Sequence, residues 1–507
     1  MVGQVGRIPQ ALRRALGTDH AWLAGLAAIE LALHLASIGL YGYHRDELYL
    51  LACGRRLEWG SVDHAPLTPA LSSLLASVSG ASPAGQRIGS ALSGALVVWL
   101  TGASARALGG ERHAQLLAAS AVMIAPVFIY QGGVLGTSAV DQLAWTAAGH
   151  LVIRLLSGED ARCRRRHWLL LGLVIGVGLL NKYTVLILVA ALAVGFATQA
   201  RALLRAPWPW LAGVVAIVVW SPNLLWQWQH GFPVSEWLAG HHAARLREVS
   251  AASFLLDQPR LLHPLTFGMA VVGLRRAFRR NATRCERTLG TAFLVAAGVL
   301  LLLRGKPYYL APLYPVLLAI GSIAVAAEVA RWRAGPRRAL LAVSLGSGLL
   351  AFVGTLPVLP QRVALRLHLH EVNDELLQFA DWQALVQQVA EAYRRSIDSS
   401  RGGILVDSYG MAAAIETYGP AYGLPRPTSG ANSYHAWGPG PSDASDLLAI
   451  GYPADLLRTL CQEVTRVDSL VSPVGLGNRY DFPRTIHHCR GLRSPLAASW
   501  DRLRRFD

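Results

Sequence analysis

The chain has 507 residues, 53% of them hydrophobic and 15% charged, with a formal net charge of +16. A soluble protein of that balance would be hard to keep in solution. The basic charge invites a nucleic-acid reading, but the arginines fall between apolar runs and form no single patch, so no nucleic acid is expected as a partner.

Most of residues 21–357 is a series of apolar runs long enough to cross a bilayer as helices, about 20 residues each. The spans fall near 21–42, 87–107, 114–132, 139–157, 168–180, 183–200, 209–227, 261–274, 288–303, 308–330 and 338–357. The first lacks a small-residue cleavage site and reads as a retained helix. After residue 360 the runs shorten and charge returns. The expected fold class is an α-helical polytopic membrane protein of about eleven transmembrane helices, with a C-terminal extracytoplasmic α/β domain. In segments this gives a cytoplasmic N-terminus at 1–20, a transmembrane part at 21–357 with an outer loop at 43–80, and a water-soluble domain at 358–507.

Arginine clusters orient the chain. With the N-terminus inside, Arg13 and Arg14, Arg164 to Arg166, Arg279 and Arg280, and Arg337 and Arg338 all share one side, which the positive-inside rule makes cytoplasmic. The odd number of spans leaves the tail outside.

The first outer connection, Tyr41 to Pro66, is too polar for a mere hairpin. It carries Arg45, Asp46 and Glu47 just beyond the first span, then Arg55, Arg56, Asp63 and His64. A solvated, capped loop is the bland account of such acids. It does not explain arginines kept on the disfavoured side, and ionisable groups held at a membrane boundary point to function. Further along, Asp141 stands at the outer end of the fourth span, where a helix-dipole role is the simplest account, although it can face the same outer cavity as Asp46.

Lys182 and Lys306 are the only lysines among 47 basic residues, and both lie at outer helix ends. A lysine offers a compact charge suited to a phosphate oxygen, whereas snorkelling to the interface is the plain alternative. With Arg304, Tyr308 and Tyr309 beside it, Lys306 reads as part of an anion site. Between the lysines, Trp226 and Trp228 suit an interfacial belt. The adjacent His241 and His242 lack a third metal ligand.

The tail alternates strand-like 403–407, helix-like 411–418, strand-like 447–452, helix-like 454–464 and strand-like 466–471, the pattern of a small α/β domain. Its Tyr434, His435 and Trp437 suit either an acceptor groove or ordinary packing. Cys461 and Cys489 share the exported compartment, where a disulfide persists. No metal motif appears, so no metal ligands are assigned, although Asp46, Glu47, Asp63 and His64 could gather round a divalent ion.

The segments Tyr43-His-Arg-Asp-Glu-Leu-Tyr, Val62-Asp-His-Ala-Pro-Leu, Pro222-Asn-Leu-Leu-Trp-Gln-Trp-Gln-His-Gly-Phe-Pro and Lys306-Pro-Tyr-Tyr-Leu-Ala-Pro-Leu-Tyr-Pro resemble, in order, recurring blocks of the membrane-embedded GT-C glycosyltransferases. Within that superfamily the likeness is to family 39, the bacterial relatives of dolichyl-phosphate-mannose protein mannosyltransferases and of the lipid A aminoarabinose transferase. The resemblance implies a polyprenyl-phosphate sugar donor, an active site between membrane and outer loops, and an acidic base in the first outer loop. Asp46 matches that base and Glu47 its neighbour, while Asp63-His64 stands where some relatives have Glu-Lys. His64 can hold donor phosphate only when protonated, which shifts weight to Lys182 and Lys306.

Transfer from a lipid phosphate needs a base, cations for the departing phosphate and access from the lipid. The expected activity is therefore glycosyl transfer to an envelope acceptor, lipid, glycan or protein, with inversion and with Asp46 as base. A two-carboxylate route through Asp46 and Asp141 stays open. The expected partners are the donor, membrane lipids and the acceptor. A lipid-linked sugar transporter or flippase is the alternative, with a non-catalytic scaffold as a third reading.

Overall fold

The computed structural model describes residues 18–158, 160–379, 381–397, 402–440, 444–472 and 484–506; Arg13, Arg14 and the side chain of His241 lie outside them. Each expected apolar run in these residues is helical. By length and composition alone, five described helices can cross a membrane: Pro83–Ala107, Trp208–Gln229, Arg284–Leu302, Pro307–Ala330 and Ala334–Thr355. A bent pair, Arg112–Met123 and Pro126–Gly133, makes a sixth.

Prolines account for the broken elements. The bent pair turns by 65° at Ala125, which is extended (φ −85°, ψ 120°) ahead of Pro126, because a residue before proline is pushed out of the α region. The run expected at 261–274 is likewise split. His263, ahead of Pro264, adopts φ 70°, ψ 136°, and separates Ala251–Leu262 from Pro264–Ala277.

Helices cross closely where side chains are smallest. Gly273 and Gly321 face each other so tightly that a Cβ on either would strike the other helix's backbone, the small-residue contact expected between helices in lipid. Only 17% of the apolar window of Trp208–Gln229 and 11% of that of Ala334–Thr355 is buried. Leu341, Val343, Leu345 and Leu350 are exposed on the latter, the apolar surface that lipid covers.

The tail builds a five-stranded mixed sheet from β1 (Gly402–Val406), β2 (Thr428–Ser429), β3 (Asp446–Ile450), β4 (Cys461–Leu470) and β5 (Arg484–Leu492), in the order β2-β1-β3-β5-β4. β1 runs parallel to β2 and β3, while β5 is antiparallel to β3 and β4. Alternate residues point to opposite faces, so Ile404, Val406, Leu448 and Ile450 join one core and Leu405, Leu447 and Ala449 another. The helix expected over 454–464 ends at Leu460, and Cys461 opens β4. A disulfide joins Cys461 to Cys489 across β4 and β5, with 5.6 Å between their Cα atoms.

The first of these cores is not confined to the tail. Tyr43, Leu48, Tyr49, Leu51, Ala52 and Cys53 of the first outer loop are buried in it with Trp382, Met411 and Ile415. Each such side chain contributes about 1.5–3 kcal/mol when fully buried. The loop and the sheet therefore share one core and hold each other in place.

Candidate functional site

A short helix, Arg45–Arg55, sets the geometry of the first outer loop. Its N-cap is His44, whose Nδ1 accepts from the Asp46 backbone N–H while the Glu47 carboxylate accepts from the His44 N–H. This reciprocal cap satisfies two otherwise orphaned donors. Successive helical residues point about 100° apart, so Asp46 and Glu47 have different fates.

Glu47 is fully buried. One of its oxygens accepts from Arg87 Nε (2.8 Å) and the Leu135 N–H (3.0 Å), the other from Arg87 Nη2 (2.7 Å) and the His44 N–H (2.8 Å). Arg87 also donates to the carbonyls of Ile38 and Gly42. The pair is a clamp between helix Arg45–Arg55 and Pro83–Ala107, with all four contacts of the Glu47 carboxylate inside the protein.

Asp46 is exposed, and its Oδ1 accepts the Tyr409 hydroxyl at 2.8 Å. Surrounding protein is the largest influence on its carboxyl and pushes its pKa up, but His44, Arg45 and the Tyr409 hydrogen bond together hold it below the usual range. Arg45 is itself buried, stacked 4.2 Å from the centre of the Tyr409 ring. Glu375 lies near Asp46: it meets His44 Nε2 at 3.3 Å and accepts the Tyr130 hydroxyl at 3.0 Å. Burial drives the His44 pKa down and that of Glu375 up, but their contact outweighs both effects, raising His44 and lowering Glu375.

Asp63 serves to join the two regions. It accepts from Tyr49 (2.9 Å), Ser433 (3.1 Å) and Asn432 (3.0 Å), so the outer loop is tied to the segment after β2. His64 packs on the Tyr49 ring with centroids 5.5 Å apart, and its charge also acts on Asp46.

The two lysines, 124 positions apart in sequence, meet at one tyrosine pair. Lys182 Nζ lies 4.8 Å from the Tyr309 ring centre and 5.7 Å from that of Tyr308, and donates to Ser138 at 3.1 Å. Lys306 Nζ is 6.0 Å from Tyr308. Tyr308 in turn feels the charges of Glu375 and Asp46. Asp141 is buried, accepting from Trp145 (2.9 Å) and Thr184 (3.0 Å), and its charge interacts with Lys182. It supports the lysine from within the helices. Arg304, with φ 51°, donates to the Val249 carbonyl at 2.8 Å.

Among the described residues, Asp46, Glu47, Asp63 and His64 do not come together as metal ligands; the group close enough to do so is His368, His370 and Glu371. Sequence reasoning missed Glu375, Tyr130 and Arg87. Arg87 alone carried a signal, an arginine at the start of an apolar run.

The chain aligns over 92% of its length, and 98% of the other, with the crystal structure of ArnT from Cupriavidus metallidurans bound to undecaprenyl phosphate, at a TM-score of 0.59 and 15% identity. An Archaeoglobus fulgidus oligosaccharyltransferase in complex with Zn and sulfate matches 84% of this chain and 67% of its own, at a TM-score of 0.50 and 11% identity. The fold is therefore the one shared by these two proteins. Residues 63–226 match the model of the dolichyl-phosphate-mannose-protein mannosyltransferase family. No curated protein matches the sequence.

Proposed function

We propose that this protein transfers a sugar from a polyprenyl-phosphate donor to an acceptor of the cell envelope, at the outer face of a bacterial plasma membrane. The observation that carries the reading is that the chain's only two lysines, 124 positions apart, both approach the Tyr308 ring, at 5.7 and 6.0 Å. The ArnT structure bound to undecaprenyl phosphate supports a lipid phosphate as the group the lysines receive.

In this reading the donor phosphate lies against Lys182 and Lys306, which stabilise the charge that grows as the anomeric C–O bond breaks. The acceptor hydroxyl attacks the anomeric carbon from the opposite side, its proton passes to Asp46, and polyprenyl phosphate leaves, so the configuration inverts. A carboxyl held low is ionised at neutral pH but is a weak proton acceptor. It therefore orients and polarises the hydroxyl first and takes the proton late, as the bond to phosphate opens. The Arg clusters on the opposite side support an outward-facing tail.

A transporter of lipid-linked sugars would collect its binding groups near mid-membrane, whereas these gather at outer helix ends. Incubation of the purified protein in liposomes with radiolabelled undecaprenyl-phosphate sugars and envelope extract separates the readings. Label moved onto an acceptor supports transfer, and label moved across the bilayer without transfer contradicts it.

A further inference from the structure

A cavity opens on the far side of Tyr49 and Tyr409 from Asp46, through His64, which packs on Tyr49. It measures about 230 Å³, with one wall from the outer loop and the end of helix Trp208–Gln229 and another from the tail. Its volume is roughly that of seven or eight waters at liquid density, room for one sugar ring and too little for a chain. We propose that this cavity binds a saccharide unit of the acceptor; the inference rests on the transferase reading and names the acceptor's class.

Aromatic surface comes from both walls. Trp226 stacks on His230 with centroids 4.1 Å apart, and its indole N–H donates to Glu58 at 2.7 Å. Gly60 lies so close to the same indole that a Cβ there would collide with the ring. Trp437 is held by Arg56, 4.2 Å above its ring, and by Tyr434, edge-on at 4.6 Å. Both tryptophans are half-buried and fixed by their neighbours, so little ordering remains to be done when a ligand arrives.

The polar lining narrows the ligand class. Arg56 is paired with Glu416 at 2.7 Å, and Arg504 with Glu236. Cationic charge in the cavity is thus matched, which disfavours a phosphate or carboxylate as the main ligand. A lipid tail would lie against the polar Ser61, His64, Ser433 and Arg504 and take them out of water. A sugar ring offers apolar C–H faces to the indoles and hydroxyls that both donate and accept, which this mixture satisfies.

Position gives the occupant its role. His64 lines the cavity and packs on Tyr49, whose ring lies 4.6 Å from that of Tyr409, the residue that donates to Asp46. In this proposal a sugar held by the tryptophans lies one pair of tyrosine rings away from the carboxylate assigned as base, the side from which an acceptor longer than one ring would extend.

The test uses the full-length protein in detergent, without donor, titrated with methyl glycosides of mannose, glucose, galactose and arabinose by saturation-transfer NMR and calorimetry. At least one glycoside is expected to bind saturably, Trp437→Ala and Trp226→Ala should each weaken it at least tenfold, and Trp437→Phe should recover part of the loss. Melting curves confirm that the variants are folded. No glycoside binding, unchanged binding in both alanine variants, or saturable binding only of the peptide acetyl-Thr-Gly-Thr-amide would overturn the proposal. Because no donor is present, glycoside binding lost in the tryptophan variants, together with absent donor turnover, would keep the pocket and discard the transferase.

Discussion

The Tyr409 hydroxyl donates to Asp46 Oδ1 at 2.8 Å, joining residues 363 positions apart. Through this bond the tail helps to set the ionisation of the proposed base. After the opposing effect of burial, His44, Arg45 and this hydrogen bond lower the Asp46 carboxyl. Tyr409→Phe removes one of these influences, so the pKa of Asp46 rises. The active carboxylate then protonates at a higher pH than in the wild type. The acidic limb of the transfer rate should move to higher pH while the rate near neutrality falls only a few-fold. A loss of rate with the acidic limb unmoved would reduce Tyr409 to a packing role.

Glu47 and Arg87 should matter for stability first. Glu47→Ala leaves a buried guanidinium without its counter-ion, which costs about 3–5 kcal/mol. Glu47→Leu combined with Arg87→Met should recover much of that. Thermal melting in detergent measures both. A Glu47→Ala protein that melts like the wild type yet transfers no sugar would return Glu47 to the chemistry.

For the lysines the structure reverses the weighting given by sequence. Lys306 is exposed and touches the tyrosine pair at one ring, whereas Lys182 is anchored on Ser138 and near both rings. Lys182→Ala is expected to weaken undecaprenyl-phosphate binding about tenfold, more than Lys306→Ala does, with Lys182→Arg recovering part because charge returns without the compact geometry. Binding to labelled lipid in detergent decides the order. Equal, negligible losses would mean that both lysines are interfacial anchors.

The Cys461–Cys489 bond closes a loop of 28 positions and should contribute about 3 kcal/mol to the tail. In unreduced, denatured protein from the native membrane, thiol labelling should reach Cys53, Cys163 and Cys285 and spare these two. Labelling of all five would argue against an oxidising compartment for the sheet.

What could be read from sequence follows from how local each signal is. Apolar runs announce themselves because lipid makes every helix apolar over its whole length, and Asp46 stood out by lying just past one. The neighbouring Glu47 could not be told apart from it, since its fate depends on Arg87 forty residues on. Glu375 and Tyr409 reach the site from beyond residue 370, and nothing in their own segments marks them. The helix expected over 454–464 ran too far because Gln462 and Glu463 suit a helix equally well, and pairing with β5, itself unforeseen, makes them strand. The lysines were visible as rarities, but only the fold reveals that they meet.

The most direct test of the account is single-turnover transfer by Asp46→Asn, measured beside donor affinity. The change keeps the size and polarity of the side chain and removes its capacity to take a proton. Transfer should fall by about 10²-fold or more while undecaprenyl-phosphate affinity changes little. Near-normal transfer by a properly inserted Asp46→Asn protein would contradict the account and pass the role of base to another carboxylate, Glu375 first.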